Sequence, residues 1–378
     1  MTNKPLRILQ TCFSPSWGGL EIHSLRAVSR LHKRGHIVWL ACLPGSRLLR
    51  EADMLGFNTI PLNVKGYLHP RLIFRFSKFL RYNGIAIIHA QLSRDIATVV
   101  PAMVLSGGKI PVILSKRVGS FISKRDFFHR FTYKHVSLVL AISEIIRKNV
   151  IETTPMKPEK VITLHEPVDT EIFNPKVTNR QKIRSYFNFT ENDFVIGFVG
   201  RFSPGKGHED FFTAINILKH KYPDIRACIV GDASRGEENY RSKIHELART
   251  MDIEDRVRFS GFRQDIPDIL HAFDLLAFPS HAEAFGAVLV EAMAMELPVV
   301  STNCDGVLDI VVDGVTGLFV NPHNPQEMAD AVGRLIENPN LRREMGIEGR
   351  KRVLAHFDEN SHIEKIETIY SSLLHIKS

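Results

Sequence analysis

The feature that most constrains the fold is an alternation of apolar strands and helices that runs, stops and restarts. LRILQTCF and HIVWLACL flank the helical segment LEIHSLRAVSRLHKRG, and the alternation stops at HEPVDTEIFNPKV, which is rich in Pro, Asn and Asp. It restarts at DFVIGFVGRF. Because alternating strands and helices build parallel sheets, two separate runs predict an α/β chain of two Rossmann-like domains facing each other across a cleft.

The length supports this division, since 378 residues exceed one ordinary hydrophobic core. We predict an N-terminal domain over residues 1–168, a C-terminal domain over 169–357 and a final helical segment over 358–378. The apolar runs, such as residues 97–105, are shorter than the roughly 18 residues of a membrane span, and the start does not match a signal peptide. Four scattered cysteines without a C-x-x-C pair argue against disulfides or a zinc site and favour a reducing cytoplasm.

Charge is distributed unevenly along the chain. Through Thr178, Lys and Arg outnumber Asp and Glu by 26 to 11, whereas after it the acids outnumber the bases by 30 to 23. The basic half is expected to meet an anionic ligand or surface. Residues 71–82 and 116–135 mix basic and aromatic side chains, which fits either an anionic membrane surface or ordinary packing of a helix on its own sheet. No nucleic-acid-binding motif is present, so we expect no nucleic-acid partner.

Two glutamates eight positions apart indicate the ligand. Glu283 and Glu291 lie in SHAEAFGAVLVEAMAMELPVVST, directly after the apolar strand DLLAFPS. A Gly-containing loop followed by a helix start is a ready anion site. A carboxylate can also accept paired hydrogen bonds from vicinal sugar hydroxyls. One acid near a hexose and one near a ribose, with a diphosphate between them, predict a nucleotide-sugar site.

The run GRFSPGKG, residues 200–207, nearly spells a nucleotide-binding P-loop, but Gly207 stands where Ser or Thr would hold magnesium. A P-loop NTPase is therefore not predicted. Arg201 and Lys206 are instead spaced to clamp a diphosphate. Further glycines follow other strands, at Gly18-Gly19, Gly231 and Gly261, where open α/β sheets bind their ligands.

Together these motifs resemble the retaining glycosyltransferases of family four, which have a GT-B fold. E-A-F-G-x-x-x-x-E is similar to the family's E-x7-E signature, GRFSPGKG to its G-R-x-x-x-x-K-G loop, and VDTEIFNP to its linker. The resemblance implies that Arg201 and Lys206 bind the donor diphosphate and that Glu283 holds the transferred sugar, which makes these three the expected catalytic residues. It also implies that the last helix returns to the first domain.

The resemblance further implies a donor site without metal or cofactor. The donor is expected to be a UDP-sugar or GDP-mannose, with Glu291 on the ribose and the segment after Gly261 flanking the base. The expected donor-binding residues are Gly18, Gly19, Gly200, Gly231, Phe262, Phe285, Gly286, Ala287 and Glu291.

The chain departs from the family pattern in its first half. Many members carry a histidine where this chain has SKRV at residues 115–118, and a second one near Gln91. The usual Asn-Gly before the linker Val-Asp is Glu-Pro here. The expected acceptor-binding residues are therefore His89, Lys116 and Arg117, of which the two cations would suit an anionic acceptor.

The resemblance implies a metal-independent transferase that moves a sugar, with retention, to a cell-surface glycan such as a lipopolysaccharide, an O-antigen or a related lipid-linked saccharide. We expect it in the cytoplasm, peripherally bound to the inner face of the membrane, with a hinge near Pro167. Two alternatives remain open at this point: a nucleotide-sugar epimerase on the same architecture, and a non-catalytic nucleotide-sugar-binding protein.

Overall fold

The computed structural model describes residues 5–64, 69–233 and 236–375. The chain divides into two compact units, one of Met1–His165 with Asn360–Ser378, and the other of Glu166–Glu359. The division therefore falls three residues before the predicted boundary at 168 and two residues after the one at 357. The first unit takes its last helix from the end of the chain.

Among the described residues of the first unit, seven strands form one parallel sheet. They are β1 (Arg7–Cys12), β2 (Ile37–Cys42), β3 (Asn58–Pro61), β4 (Ile87–Ala90), β5 (Val112–Lys116), β6 (Val136–Ala141) and β7 (Val161–Thr163). Their order is β3-β2-β1-β4-β5-β6-β7. The accompanying helices are α1 (Gly19–Lys33), α2 (Arg47–Met54), α3 (Pro70–Tyr82), α4 (Ile96–Leu105), α5 (Phe127–Lys134) and α6 (Glu144–Thr153), with a short 3-10 helix at Pro158–Lys160.

The described part of the second unit has a parallel sheet of six strands. They are β8 (Phe194–Val199), β9 (Ile225–Val230), β10 (Val257–Gly261), β11 (Leu275–Phe278), β12 (Val299–Thr302) and β13 (Gly317–Val320), in the order β10-β9-β8-β11-β12-β13. The helices are α7 (Arg180–Tyr186), α8 (His208–Leu218), α9 (Glu238–Thr250), α10 (Ile266–Ala272), α11 (Ala287–Ala294), α12 (Pro325–Glu337) and α13 (Pro339–His356), with a 3-10 helix at Asp305–Asp309. The last helix of the chain is α14 (Glu359–His375).

Each sheet reverses its strand order once, between β1 and β4 in the first unit and between β8 and β11 in the second. Open parallel sheets bind ligands outside the carboxyl ends of the strands at such a switch point. The predicted Rossmann-like α/β architecture is confirmed in both units. In the second unit, the loops that follow β8 and β11 are the places where a ligand is expected.

Helix α14 packs on the first unit, as the sequence led us to expect. Tyr370 is fully buried, and its hydroxyl lies 2.7 Å from Nδ1 of His89 on β4. Glu367 accepts a hydrogen bond from Nε of Arg34 at 2.8 Å and lies 2.9 Å from Nε2 of His36. Apolar residues Ile363 and Ile366 complete the contact with the core of this unit. The end of the chain is thus held by both burial and ion pairing.

Helix α3 contains the whole of the first basic and aromatic segment, residues 71–82. Its residues Phe76 and Leu80 are buried, and Phe79 packs edge-on against Trp39 of β2. The apolar face of α3 therefore packs on the sheet of its own unit, which was the second of the two interpretations of this segment. In the parts of the chain that the structure describes, no helix combines the length and apolar content needed to cross a bilayer.

Candidate functional site

The loop after β8 packs directly against its neighbours, which explains Gly207 in this loop and Gly231 at the end of β9. A Cβ added to Gly207 would lie 2.1 Å from the carbonyl oxygen of Pro279, and one added to Gly231 would lie 1.9 Å from that of Gly200. Both glycines also have positive φ, +78° and +140°. Since real Cβ contacts are never this short, only glycine lets the ends of β8, β9 and β11 approach this closely.

The structure brings Lys206 and Glu283 together, although 77 positions separate them. Nζ of Lys206 lies 2.5 Å from Oε2 of Glu283, and their side chains are 23% and 18% exposed. The backbone N–H of His281 donates to the carbonyl of Gly205 at 2.9 Å and fixes one loop on the other. Two of the three expected catalytic side chains therefore form one ion pair at the switch point of the second sheet.

Glu283 is also held through its backbone by the segment that follows β12. Its N–H donates to Oδ2 of Asp305 at 3.2 Å, and its carbonyl accepts from the N–H of Gly306 at 3.0 Å. Sequence reasoning missed Asp305 and Gly306, although an acid directly after a buried strand is a signal for this edge of the sheet.

The start of α11 follows the predicted pattern of turn and helix. Gly286, with φ +100°, is the residue before the helix, and Ala287 is its first residue and exposed. Phe285 is buried, and Glu291 lies half-buried on the next turn. The backbone N–H groups at this helix start make it a site that favours anions.

Other expected donor residues border a cavity at the ends of β9 and β10. The cavity has a volume of about 630 Å³, within the range of small-molecule sites. Its lining includes Gly231, Gly261 and the aromatic rings of Phe202, His245 and Phe259. Phe262, which follows Gly261, is 72% exposed. Arg201 is exposed on the neighbouring loop.

Gly18 and Gly19 lie at the start of α1 in the first unit. The N–H of Gly18 donates to the carboxylate of Glu21 at 2.8 Å. A Cβ on Gly19 would meet no atom within 4 Å among the described residues, apart from its chain neighbours, so no packing contact there requires a glycine. Open space at a helix start is where a ligand could approach the backbone.

His89 occupies the core of the first unit. It is 2% exposed, and its ring nitrogens lie 2.7 Å from the Tyr370 hydroxyl and 2.8 Å from the Ser115 hydroxyl. Burial lowers the pKa of His89 to about 3, so the ring is neutral at physiological pH. With both nitrogens engaged, we assign His89 to the support of α14 and not to the acceptor.

Lys116 is the last residue of β5, and Arg117 follows it at the carboxyl edge of the first sheet. Nζ of Lys116 donates to Oγ of Ser93 at 3.2 Å, and Nη1 of Arg117 donates to the side-chain carbonyl of Gln91 at 2.8 Å. Burial, with a smaller effect of Lys124, lowers the pKa of Lys116 to about 8. Both cations therefore contact the loop after β4, at the carboxyl edge of the first sheet.

Two family models match this chain, Glycosyltransferase Family 4 over residues 17–172 and Glycosyl transferases group 1 over residues 179–352. The chain belongs to glycosyltransferase family four. The capsular polysaccharide biosynthesis glycosyltransferase CapM of Staphylococcus aureus is 29% identical over 240 residues, 62% of each chain. A D-inositol 3-phosphate glycosyltransferase of Corynebacterium aurimucosum is 31% identical over 235 residues, 61% of this chain and 55% of that protein.

The matched region thus spans between half and two thirds of these curated relatives. Among solved structures, Anabaena Alr3699/HepE in complex with UDP superimposes with a TM-score of 0.86 at 23% identity, over 97% of this chain and 100% of that one. At this identity the likeness establishes a shared fold, which is of the GT-B type.

Proposed function

We propose that this protein is a retaining glycosyltransferase that moves a sugar from a nucleoside diphosphate donor to a cell-surface glycan. The observation that carries the proposal is the ion pair of Lys206 and Glu283, 2.5 Å apart at the switch point of the second sheet. A cation and an acid at this place offer one group for a diphosphate and one for sugar hydroxyls.

In the proposed mechanism, the ammonium of Lys206 and the guanidinium of Arg201 stabilise the charge that develops on the departing diphosphate. One such donor typically contributes about 3–4 kcal/mol to the transition state. Glu283 accepts hydrogen bonds from hydroxyls of the transferred sugar and orients its anomeric carbon. The acceptor hydroxyl attacks from the face that the diphosphate leaves, and a diphosphate oxygen takes its proton. No metal ion takes part.

The rest of the donor would extend from α11 towards the cavity at β9 and β10. Glu291 would bind the ribose hydroxyls, and the exposed ring of Phe262 would flank the base. The UDP in the HepE structure supports a uridine nucleotide, and GDP-mannose is the second candidate. Both nucleotides carry the same diphosphate, so the roles of Lys206 and Arg201 are the same for either.

The acceptor is proposed to be an anionic glycan or glycolipid. Lys116 and Arg117 supply two cations at one edge of the first sheet, and a relative is named for a phosphorylated acceptor, D-inositol 3-phosphate. CapM, named for capsular polysaccharide, supports a product at the cell surface.

A transfer assay tests the proposal directly. The purified protein would be incubated in EDTA with UDP-glucose, UDP-galactose, UDP-N-acetylglucosamine or GDP-mannose and with a lipid extract of the source cells, and products would be followed by mass spectrometry. We expect one donor to give a glycosylated lipid or saccharide. An epimerised donor without any acceptor product, or a requirement for added metal, would contradict the proposal.

We also propose that the first unit contacts the inner, cytoplasmic face of the membrane through the loop between β5 and α5 and the start of α5. Phe121 and Ile122 of the loop and Phe127 of the helix expose most of their side chains, and Arg125 and Arg130 are exposed beside them. Asn149 fixes the loop by two hydrogen bonds to the backbone of Ser120. Apolar tips flanked by cations on a fixed loop suit an anionic lipid surface.

Vesicle flotation tests this contact. The protein should float with anionic vesicles but not with neutral ones, and salt should weaken the binding. Replacing Phe121 and Ile122 with serine should abolish flotation. The same replacement of Met54 and Leu55, another adjacent and exposed apolar pair of the first unit, should leave it unchanged. Equal loss in both variants would refute a specific loop contact.

A further inference from the structure

Three side chains with metal-ligating chemistry meet beside the loop that carries Lys206. Asp210 lies in the first turn of α8, His281 follows β11, and His323 follows β13. Nε2 of His281 lies 2.7 Å from Oδ2 of Asp210, and the ring centroids of His281 and His323 are 3.6 Å apart. One ligand atom from each of the three lies within 4.8 Å of the others.

We propose that Asp210, His281 and His323 bind one divalent transition-metal ion, for which Zn²⁺ is the probe. Two imidazoles and one carboxylate form a ligand set that zinc accepts, with bonds of about 2.0–2.2 Å and a fourth position left for water. Mg²⁺ and Ca²⁺ prefer oxygen ligands alone, so the two nitrogens select against them.

The three side chains are already held close together without an ion. His323 has a φ of +60°, a left-handed conformation that is uncommon outside glycine, and its ring lies against that of His281. The hydrogen bond to Asp210 orients the ring of His281. The side chains of Asp210 and His281 are 19% and 22% exposed, and His323 is exposed, so an ion has a route from solvent.

An ion at this place would join three loop ends of the second unit. The N–H of His281 already donates to Gly205, and Glu283, two residues further, pairs with Lys206. The metal would therefore stiffen the two loops that hold this ion pair without touching the pair itself. The inference goes beyond the proposed transfer reaction, which uses no metal.

Calorimetric titration with Zn²⁺ on the full chain, without an affinity tag, tests the site. We expect one high-affinity site that His323→Asn weakens by at least about 10–100-fold, since even indirect supports of metal ligands have effects of that size. Asparagine tolerates the left-handed backbone, so this variant should fold normally. His220→Ala, which removes an exposed histidine of the same unit, is the matched control and should bind Zn²⁺ as the unmodified protein does.

Cobalt gives a second readout that is independent of activity. Co²⁺ in a four-coordinate site of nitrogen and oxygen ligands should produce strong visible absorption bands, and Asp210→Asn or His323→Asn should remove them. Zn²⁺ binding that is equal in His323→Asn and the unmodified protein, or Co²⁺ with only the weak spectrum of the hydrated ion, would overturn the proposal. Either result would leave the metal-free transfer assay unaffected.

Discussion

At the scale of single residues, Glu283 holds a charge that Lys206 balances in the free protein. A bound donor would separate the two, because the ammonium would turn to the diphosphate while the carboxylate keeps the sugar. Their separation of 2.5 Å and low exposure show that the two side chains are already paired in the free protein. The two residues should therefore have different effects when replaced.

Glu283→Gln should lower the transfer rate by about 10–100-fold, because hydrogen bonds to a charged group contribute about 1.5–3 kcal/mol. It should leave the affinity for the free nucleoside diphosphate nearly unchanged, because that ligand has no transferred sugar. Steady-state kinetics on this variant measures the transfer rate, and calorimetry measures its affinity for the nucleoside diphosphate. An equal loss of nucleotide affinity and of rate would show that Glu283 does not act on the sugar.

A second prediction at the residue scale concerns the buried side chain of His208. It is fully buried between Phe198 and Phe202, and neither ring nitrogen has a hydrogen-bond partner among the described residues. Burial lowers the pKa of His208 to about 4. In the unfolded chain the histidine pKa is near 6.5, so between about pH 6.5 and pH 4 the unfolded state binds a proton that the folded state does not bind. The free energy of unfolding therefore falls as the pH drops through this range.

Between pH 7 and pH 5, this one group should remove about 2 kcal/mol from the free energy of unfolding, at 1.36 kcal/mol for each pH unit below 6.5. His208→Phe keeps the stacking and has no proton to bind, so that part of the pH dependence should disappear. Urea unfolding at both pH values measures it, and His220→Ala should retain the full dependence. An unchanged pH dependence in His208→Phe would contradict the burial of a neutral ring.

At the scale of elements, the loop between β8 and α8 depends on two glycines for different reasons. Gly205 and Gly207 both have positive φ, +82° and +78°, but an added Cβ meets no atom within 4 Å at Gly205 and lies 2.1 Å from the Pro279 carbonyl at Gly207. Comparing alanine substitutions at the two glycines therefore separates the cost of a left-handed backbone from the cost of a steric clash with Pro279.

Gly205→Ala should cost about 1–2 kcal/mol of stability from the left-handed backbone alone. Gly207→Ala should cost about 1–3 kcal/mol more, because the methyl group forces the loop away from β11. Thermal and urea unfolding compare the two variants. Equal destabilisation would mean that the loop does not press on Pro279 as the structure shows.

Most elements could be predicted from the sequence, including strands of four residues, but β7 and α7 could not. β7 has three residues and α7 has seven, of which Ile183 and Arg184 are buried; segments this short show too few periods to be recognised. The loops of Lys206 and Glu283 were predicted because glycines and charges follow apolar strands there. Asp210, His281 and His323 lie far apart in the chain, so no local spacing could indicate that they meet.

Burial is the other property that the sequence did not resolve. His89 was expected at the acceptor because the family resemblance implies a histidine near Gln91, but a contact with Tyr370, 281 positions away, places it in the core. The aromatic face of α3 was equally ambiguous until Phe76 and Leu80 were seen to be buried. In both cases the sequence pattern predicts the strand or helix, but tertiary packing determines which of its side chains are exposed and able to contact a ligand.

At the scale of the whole molecule, the two units share the order of their first six strands but differ in charge. The basic first unit holds Lys116 and Arg117 at its strand ends, and the more acidic second unit holds Lys206 with Glu283. The basic strand ends of the first unit suit the proposed anionic acceptor, and Lys206 supplies a cation for the diphosphate of the proposed donor. Donor binding by the second unit is the claim on which the acceptor, membrane and mechanistic proposals all depend.

Calorimetric titration of UDP and GDP in EDTA tests that claim most directly, with Lys206→Ala and Lys221→Ala as matched variants. Both lysines pair with a glutamate, Lys206 with Glu283 and Lys221 with Glu337 at 2.6 Å on the exposed surface of the same unit. We predict that one nucleotide binds without metal, that Lys206→Ala weakens it at least tenfold, by about 1.5–3 kcal/mol, and that Lys221→Ala has no effect. Absence of binding by either nucleotide, or equal affinity in Lys206→Ala and the unmodified protein, would contradict the donor site proposed here.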